Sequence, residues 1–139
     1  MAELSLAQVL GEHRDAILAD AQARLIGEDS MVALAEDRGL SERELLSQVL
    51  GFWLRAIRTD VELGSTAALA QNLDWLVRLR AGQGLQFEDP MVLRMFTDIS
   101  TAVQERITSD DLQAQFVAYH AEATGLISRA FPQAPADLP

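Results

Sequence analysis

Cysteine is absent from this 139-residue chain, which excludes disulfides, Cys-ligated zinc or iron–sulfur centres and thiol catalysis. Lysine is absent too. All 11 basic residues are arginines, so Schiff-base chemistry and the phosphate lysine of a Walker loop are excluded. Basic charge is scarce against 21 acids, and the net charge of −10 repels a phosphate backbone or an anionic membrane surface. Neither nucleic acid nor membrane is therefore an expected partner. No apolar run approaches the roughly 18 residues that a membrane span requires. Met1-Ala2-Glu3-Leu4 lacks the basic start and cleavage site of a signal peptide, so a cytoplasmic location is expected. Strand alternation and hairpin dipeptides are missing as well.

What is present is apolar residues at helical spacing. They make up 49% of the chain, enough to fill the core of the single domain that this length suggests. Ser5 and Gln8 form a capping box that opens a helix to about Ile26, with Leu6, Val9, Leu10, Ile17, Ala21 and Leu25 on one face. Gly27–Ser30 breaks it, and a short helix over 31–36 ends at Gly39. Ser41, with Glu44 three residues on, starts a second long helix. Leu45, Leu46, Val49, Leu50, Phe52, Trp53, Ala56, Ile57 and Val61 cover more than half of its circumference, which predicts the most buried helix of the protein. Gly64-Ser65-Thr66 leads into a helix over about 66–81, striped by Leu69, Leu73, Leu76 and Val77 and ended by Gly82 and Gly84. Asp89-Pro90 opens the next helix, which carries Met91, Met95, Ile99, Val103 and Ile107. Thr108-Ser109-Asp110 starts the last one, with Leu112, Phe116, Tyr119, Ala123, Leu126, Ile127 and Ala130 inward. The expectation is an all-α bundle of five long helices and one short one over residues 1–131. A Pro-rich tail or linker follows over 132–139.

Gln8-Val9-Leu10-Gly11 recurs forty residues on as Gln48-Val49-Leu50-Gly51, but no third copy supports a solenoid. A mid-helix glycine costs roughly 1 kcal/mol against alanine, so close approach of neighbouring backbones is the expected reason for both.

Chemistry-bearing residues are few. His13 falls between Leu10 and Ile17 in one apolar arc, and His120 lies one turn from Phe116 in another. Both are expected to be buried and neutral, either as core histidines or as ligands of a core cofactor; no His-x-x-x-His or Glu-x-x-His pair supports ligation. The acids explain themselves as helix starts and solvated turns. Asp60, near Trp53 and Ala56, is the exception, and is read as reaching solvent from its end position. No Gly-x-Ser-x-Gly elbow is present, and Gly82-Gln83-Gly84 follows a helix rather than a strand, as a C-cap does and a phosphate loop does not. Trp75, with Ala68 and Leu79, forms a second apolar patch on its helix; packing by a neighbouring helix is expected ahead of exposure to a partner.

The helix pattern Leu6-x-x-Val9-Leu10 with Ile17-Leu18, the broad apolar helix after it, Leu76-Val77-Arg78-Leu79-Arg80-Ala81-Gly82-Gln83-Gly84 and the helix after Asp89-Pro90 resemble one known family. They are similar to the N-terminal sensory domains of the RsbR and RsbRD proteins of the bacterial stressosome, over about residues 4–131. The resemblance implies a globin-like fold without haem, a homodimer, and a signal passed to a downstream protein or a fused output domain. A globin's proximal histidine would fall within residues 70–90, where this chain has none.

The expected function is thus a non-enzymatic signalling sensor or protein-interaction domain that relays a change of helix packing to its last helix. The alternative is a carrier of haem, another tetrapyrrole or a lipid, with His13, Trp53, Tyr119 and His120 around the cofactor. No metal site is expected. Leu93, Phe96, Ile107 and Phe131 widen the apolar arcs of the last two helices, which predicts a homodimer through 90–107 and 110–131.

Overall fold

A computed structural model of the chain describes residues 4–26, 32, 35–83 and 89–131. These residues are helical or form connections between helices, and no strand occurs among them. The elements are α1 (Leu6–Glu12), α2 (Arg14–Leu25), α3 (Glu42–Leu63), α4 (Ala67–Gln83), α5 (Asp89–Gln104) and α6 (Asp110–Ala130). The all-α class is as expected.

Side-chain caps set the helix starts. Ser5 Oγ accepts from Gln8 N at 3.2 Å while Ser5 N donates to Gln8 Oε1 at 2.7 Å, a complete capping box. Ser41 Oγ accepts from Glu44 N at 3.1 Å, and Ser109 Oγ from Leu112 N at 3.3 Å.

The first helix departs from expectation. It is not continuous to Ile26 but breaks at His13, whose φ of −101° and ψ of 15° leave the helical region. Gly11, two residues earlier, weakens the helix there by its larger loss of backbone entropy. The break also has a packing reason, because α1 rests on α3 and α6 while α2 runs along α5 and α3. Around the short helix expected over 31–36, Ala35–Asp37 are helical, Ala35 is buried and Gly39 takes a left-handed φ of 68°; Met31, Ala33 and Leu34 lie outside the described residues. So do Gly27–Ser30, Gly84 and the tail over 132–139. Helix α4 continues through Gly82 to Gln83 instead of ending at about residue 81.

Helix α3 is the hub, packing against α1, α2, α4 and α5, and it carries more buried residues than any other described helix. Trp53 stands at its middle, 2% exposed, against the buried Phe96 of α5 at 6.2 Å between ring centroids. Leu46, Leu50, Ile57, Ile99, Val103, Phe116 and Ile127 complete the centre of the core. Among the described residues, no helix is long and apolar enough to cross a membrane.

Candidate functional site

Among the described residues, the core holds one ionisable cluster, built on Asp60. This residue is 1% exposed, contrary to the expectation that it reaches solvent from the end of its helix. Gly64 closes α3 in a left-handed conformation (φ 68°, ψ 35°), and its N–H and that of Ser65 both donate to the Asp60 carbonyl. The chain thereby turns back at once, and the start of α4 is carried to the Asp60 side chain. Ala68 N donates to Oδ1 at 2.8 Å and Leu69 N to Oδ2 at 3.1 Å, so a carboxylate of the preceding helix caps α4. The negative charge also sits at the positive end of the α4 dipole. Tyr119 of α6 completes the shell, its hydroxyl donating to Oδ2 at 2.8 Å. One carboxylate therefore ties α3, α4 and α6 together.

Tyr119 ionises far above the ordinary range for a phenol. Burial is the main cause, followed by its hydrogen bond to Asp60 and the charge there. At neutral pH it is a fixed donor and has no acid–base use. The adjacent His120 stacks on Phe96 at 5.3 Å with a 21° interplanar angle and touches Phe116 at 6.3 Å. Burial lowers its pKa below the usual imidazole value. Its side chain is nevertheless half-buried rather than buried. His13 is also half-buried. It caps α1 through its backbone, and its imidazole makes no hydrogen bond, ion pair or ring contact with any described residue. The expectation of two buried histidines is thereby corrected. The arc of His120 was placed correctly and its ring sits at the rim, whereas the arc drawn through His13 does not exist, because the helix breaks at that residue.

Of the four residues named for a cofactor, Trp53, Tyr119 and His120 are brought together and His13 is not. Trp53, Phe96, His120, Phe116 and Tyr119 form a continuous run of ring contacts, so the neighbours of His120 are protein rings. The Tyr119 hydroxyl is committed to Asp60, and His13 stands apart at the α1–α2 break. Among the described residues, no three His, Asp or Glu side chains stand together as a metal site.

A second feature lies on the outside. Phe52 of α3 and Trp75 of α4 are 39% and 50% exposed and tilt against each other at 5.4 Å. The patch around Trp75 was expected to be packed by a neighbouring helix; it is open, and Phe52, placed inward by the apolar arc, lies at the edge of that arc beside it. Val77, assigned to the α4 stripe, is also exposed. The side chain of Leu79 lies outside the described residues.

The four side chains from which dimerisation was argued are taken up by the core of one chain. Phe96, Ile107 and Phe131 are buried within one chain, and Leu93 packs against the same core. The extra width of these arcs serves several neighbours: α5 meets α2, α3 and α6, so it must be apolar over a broad arc.

The glycine echo also has a different cause. A Cβ at Gly11 would lie 2.9 Å from Arg58 Nη2 and 3.0 Å from its Cζ, and one at Gly51 would lie 3.8 Å from an Arg14 guanidinium nitrogen. At Gly11 the bare backbone receives an arginine head rather than a neighbouring backbone, while at Gly51 a Cβ would make only ordinary contact.

Asp60 and Phe52 were missed as site residues. Asp60 had a signal: it lies seven residues after Trp53 and three after Ile57, inside the buried arc, one turn before a Gly-Ser-Thr break. An acid there can cap the next helix. No family model, curated protein or solved structure matches the chain.

Proposed function

We propose that this chain is a non-enzymatic signalling sensor or protein-interaction domain that passes a change of helix packing to its last helix. The observation carrying this reading is the Tyr119–Asp60 bond at 2.8 Å, because the same carboxylate holds the first turn of α4. A tilt of the α3–α4 hairpin strains the bond to α6, and a displacement of α6 strains the cap of α4. Such a link has the character of a two-state element, since buried hydrogen bonds are either made or broken and do not stretch gradually. The resemblance to stressosome sensory domains agrees with this role. It extends the proposal to a cytoplasmic setting and to a downstream signalling protein or a fused output domain as the receiver.

Backbone amide hydrogen exchange on the wild type and on Tyr119→Phe tests the relay. Exchange should quicken together in α6 and in the first turn of α4. A change confined to the residues around position 119 overturns the proposal.

A further inference from the structure

The outward side of α3 is basic at its middle although the protein is strongly acidic. Arg55 and Arg58 follow Phe52 at intervals of three residues, so all three share the solvent arc of the helix. Both arginines are exposed and form no ion pair or hydrogen bond with any described residue. Five other arginines are paired: Arg14 with Asp15, Arg24 with Glu105, Arg78 with Asp74, Arg94 with Asp98 and Arg106 with Asp20. Arg38, Arg43 and Arg129 form no ion pair with any described residue either, but they do not adjoin an exposed aromatic pair. Arg58 is also positioned, its guanidinium lying over the bare backbone of Gly11. Beside these free cations stands the exposed Phe52–Trp75 pair, and one helical turn towards the N-terminus lies an open cleft of about 400 Å³ lined by Gln22, Arg43, Glu44, Ser47 and Gln48. An exposed aromatic pair next to unpaired arginines has the composition of an interface centre, where aromatics and arginine are enriched.

We infer that the solvent face of α3, with Trp75 of α4, docks an acidic amphipathic segment of a partner protein. Its apolar side chains would cover Phe52 and Trp75, and its carboxylates would meet Arg55 and Arg58. Charge complementarity selects this occupant. A phosphate-rich polymer, charged along its whole length, is repelled by the net charge of −10 and by Glu44 and Glu62. A short segment, by contrast, can place a few carboxylates at Arg55 and Arg58, between those two acids. A second copy paired by a two-fold axis midway between Arg55 and Arg58 would set arginine against arginine, and other registers are decided by the sedimentation measurement below. The inference rests on the interaction-domain reading above and adds where the input arrives, because Asp60 lies on the inner side of the same helix.

The test is fluorescence anisotropy of the full chain with three labelled synthetic peptides. The first is an amphipathic helix of Glu, Leu and Phe; the second has Lys in place of Glu; the third keeps Glu but has Ser in place of every apolar residue. The first should bind saturably and the others should not. Trp75→Ser, and Arg55→Glu combined with Arg58→Glu, should each weaken binding by about tenfold or more, with the helical circular dichroism unchanged because these side chains are exposed. Gly11→Ala displaces the Arg58 head and should weaken binding to a smaller extent. Absence of saturable binding by the first peptide, equal binding by either of the others, or indifference to the substitutions overturns the inference. So does a sedimentation profile showing a dimer that the arginine reversals dissociate, because the occupant is then a second copy. Amide exchange in α6, recorded with the first peptide bound, separates the two proposals. Binding without an effect on α6 removes the relay and leaves the docking face, whereas no binding removes the docking face and leaves the relay to the Tyr119→Phe comparison.

Discussion

Replacing Asp60 with alanine should be among the most damaging single changes in this protein, and its cost can be built from three hydrogen bonds. The carboxylate accepts from Ala68 N, Leu69 N and the Tyr119 hydroxyl, and water has almost no access to it. A hydrogen bond to a charged group contributes about 1.5–3 kcal/mol, and each donor left unpaired in the interior costs about 1–3 kcal/mol. These figures do not add in full, because the α4 start can fray towards water. The expected loss for Asp60→Ala is about 3–5 kcal/mol, below the full sum of three such bonds. Asp60→Asn retains one acceptor but turns an amide N–H2 towards other donors, and should cost about 2–3 kcal/mol. Tyr119→Phe removes one donor and leaves the carboxylate on two N–H groups, at about 1–2 kcal/mol. Urea unfolding followed by circular dichroism measures all three, with an unchanged denaturant slope as the check that the native state is intact. In the Asp60→Ala background the hydroxyl of Tyr119 is already unpaired, so adding Tyr119→Phe should cost nothing further. A loss below about 1 kcal/mol for Asp60→Ala, or one smaller than that of Tyr119→Phe, would refute the account of Asp60 as the tie between three helices.

Alkaline titration examines the same bond. Tyr119 is the single tyrosine, and its folded pKa lies above the unfolded value of about 10, so its contribution to stability is whole below that pH and is lost as pH rises beyond it. With no lysine in the chain, little else titrates there; phenolate absorbance should lag behind free tyrosine, and a midpoint near 10 means that the hydroxyl is not held. His120 has a folded pKa below its unfolded value of about 6.5, so its contribution is present above that pH and lost as pH falls through the folded value. Its imidazole proton resonances should titrate below 6.5, and a midpoint at or above that value contradicts the packing on Phe96. Ser100 is fully buried with an unpartnered hydroxyl, so Ser100→Ala should raise stability by about 0.5–1.5 kcal/mol, and a loss in urea unfolding counts against the placement. Trp53→Ala empties the centre of the core and should cost about 3–5 kcal/mol by the same assay; a loss below about 1 kcal/mol contradicts its burial.

The parts of this fold that were legible in the sequence are those that local chemistry controls. Serine caps at 5, 41 and 109 mark three helix starts, and the stripe from Leu45 to Val61 marks the hub. What was hidden depends on which neighbour a face meets. Phe96 and Phe131 widen the arcs of the last two helices, and a wide arc reads the same whether its extra width meets a further helix of one chain or a second molecule. Phe52 lies at the edge of its arc, where a rotation of a few tens of degrees separates core from surface, and Trp75 lies about 100° from the Leu69–Leu76 stripe, where exposure depends on whether a further helix covers it. The break at His13 follows from α1 and α2 seeking different partners, which no capping residue announces. Asp60 was read as exposed because a carboxylate in a core is rare, and what makes it tolerable there, the N–H groups of the next helix, comes from the chain reversal at Gly64.

That reversal also explains why a charge persists in the core at all. An apolar residue at position 60 would fill the space, and buried polar groups replaced by apolar ones of similar shape are often no less stable. It would leave the first turn of α4 without its acceptor, however, and would let α6 slide along α3, since apolar contacts tolerate shifts that a 2.8 Å hydrogen bond does not. The carboxylate therefore adds register more than cohesion. Arg58 lies two residues away, about 200° around the same helix, on the solvent side against Gly11. A contact that moves α3 from that side acts on a rigid rod whose opposite side holds the shared acceptor of α4 and α6. In the proposed relay, displacement at the surface and release of the last helix are two ends of one motion, a property that a simple packing unit does not require.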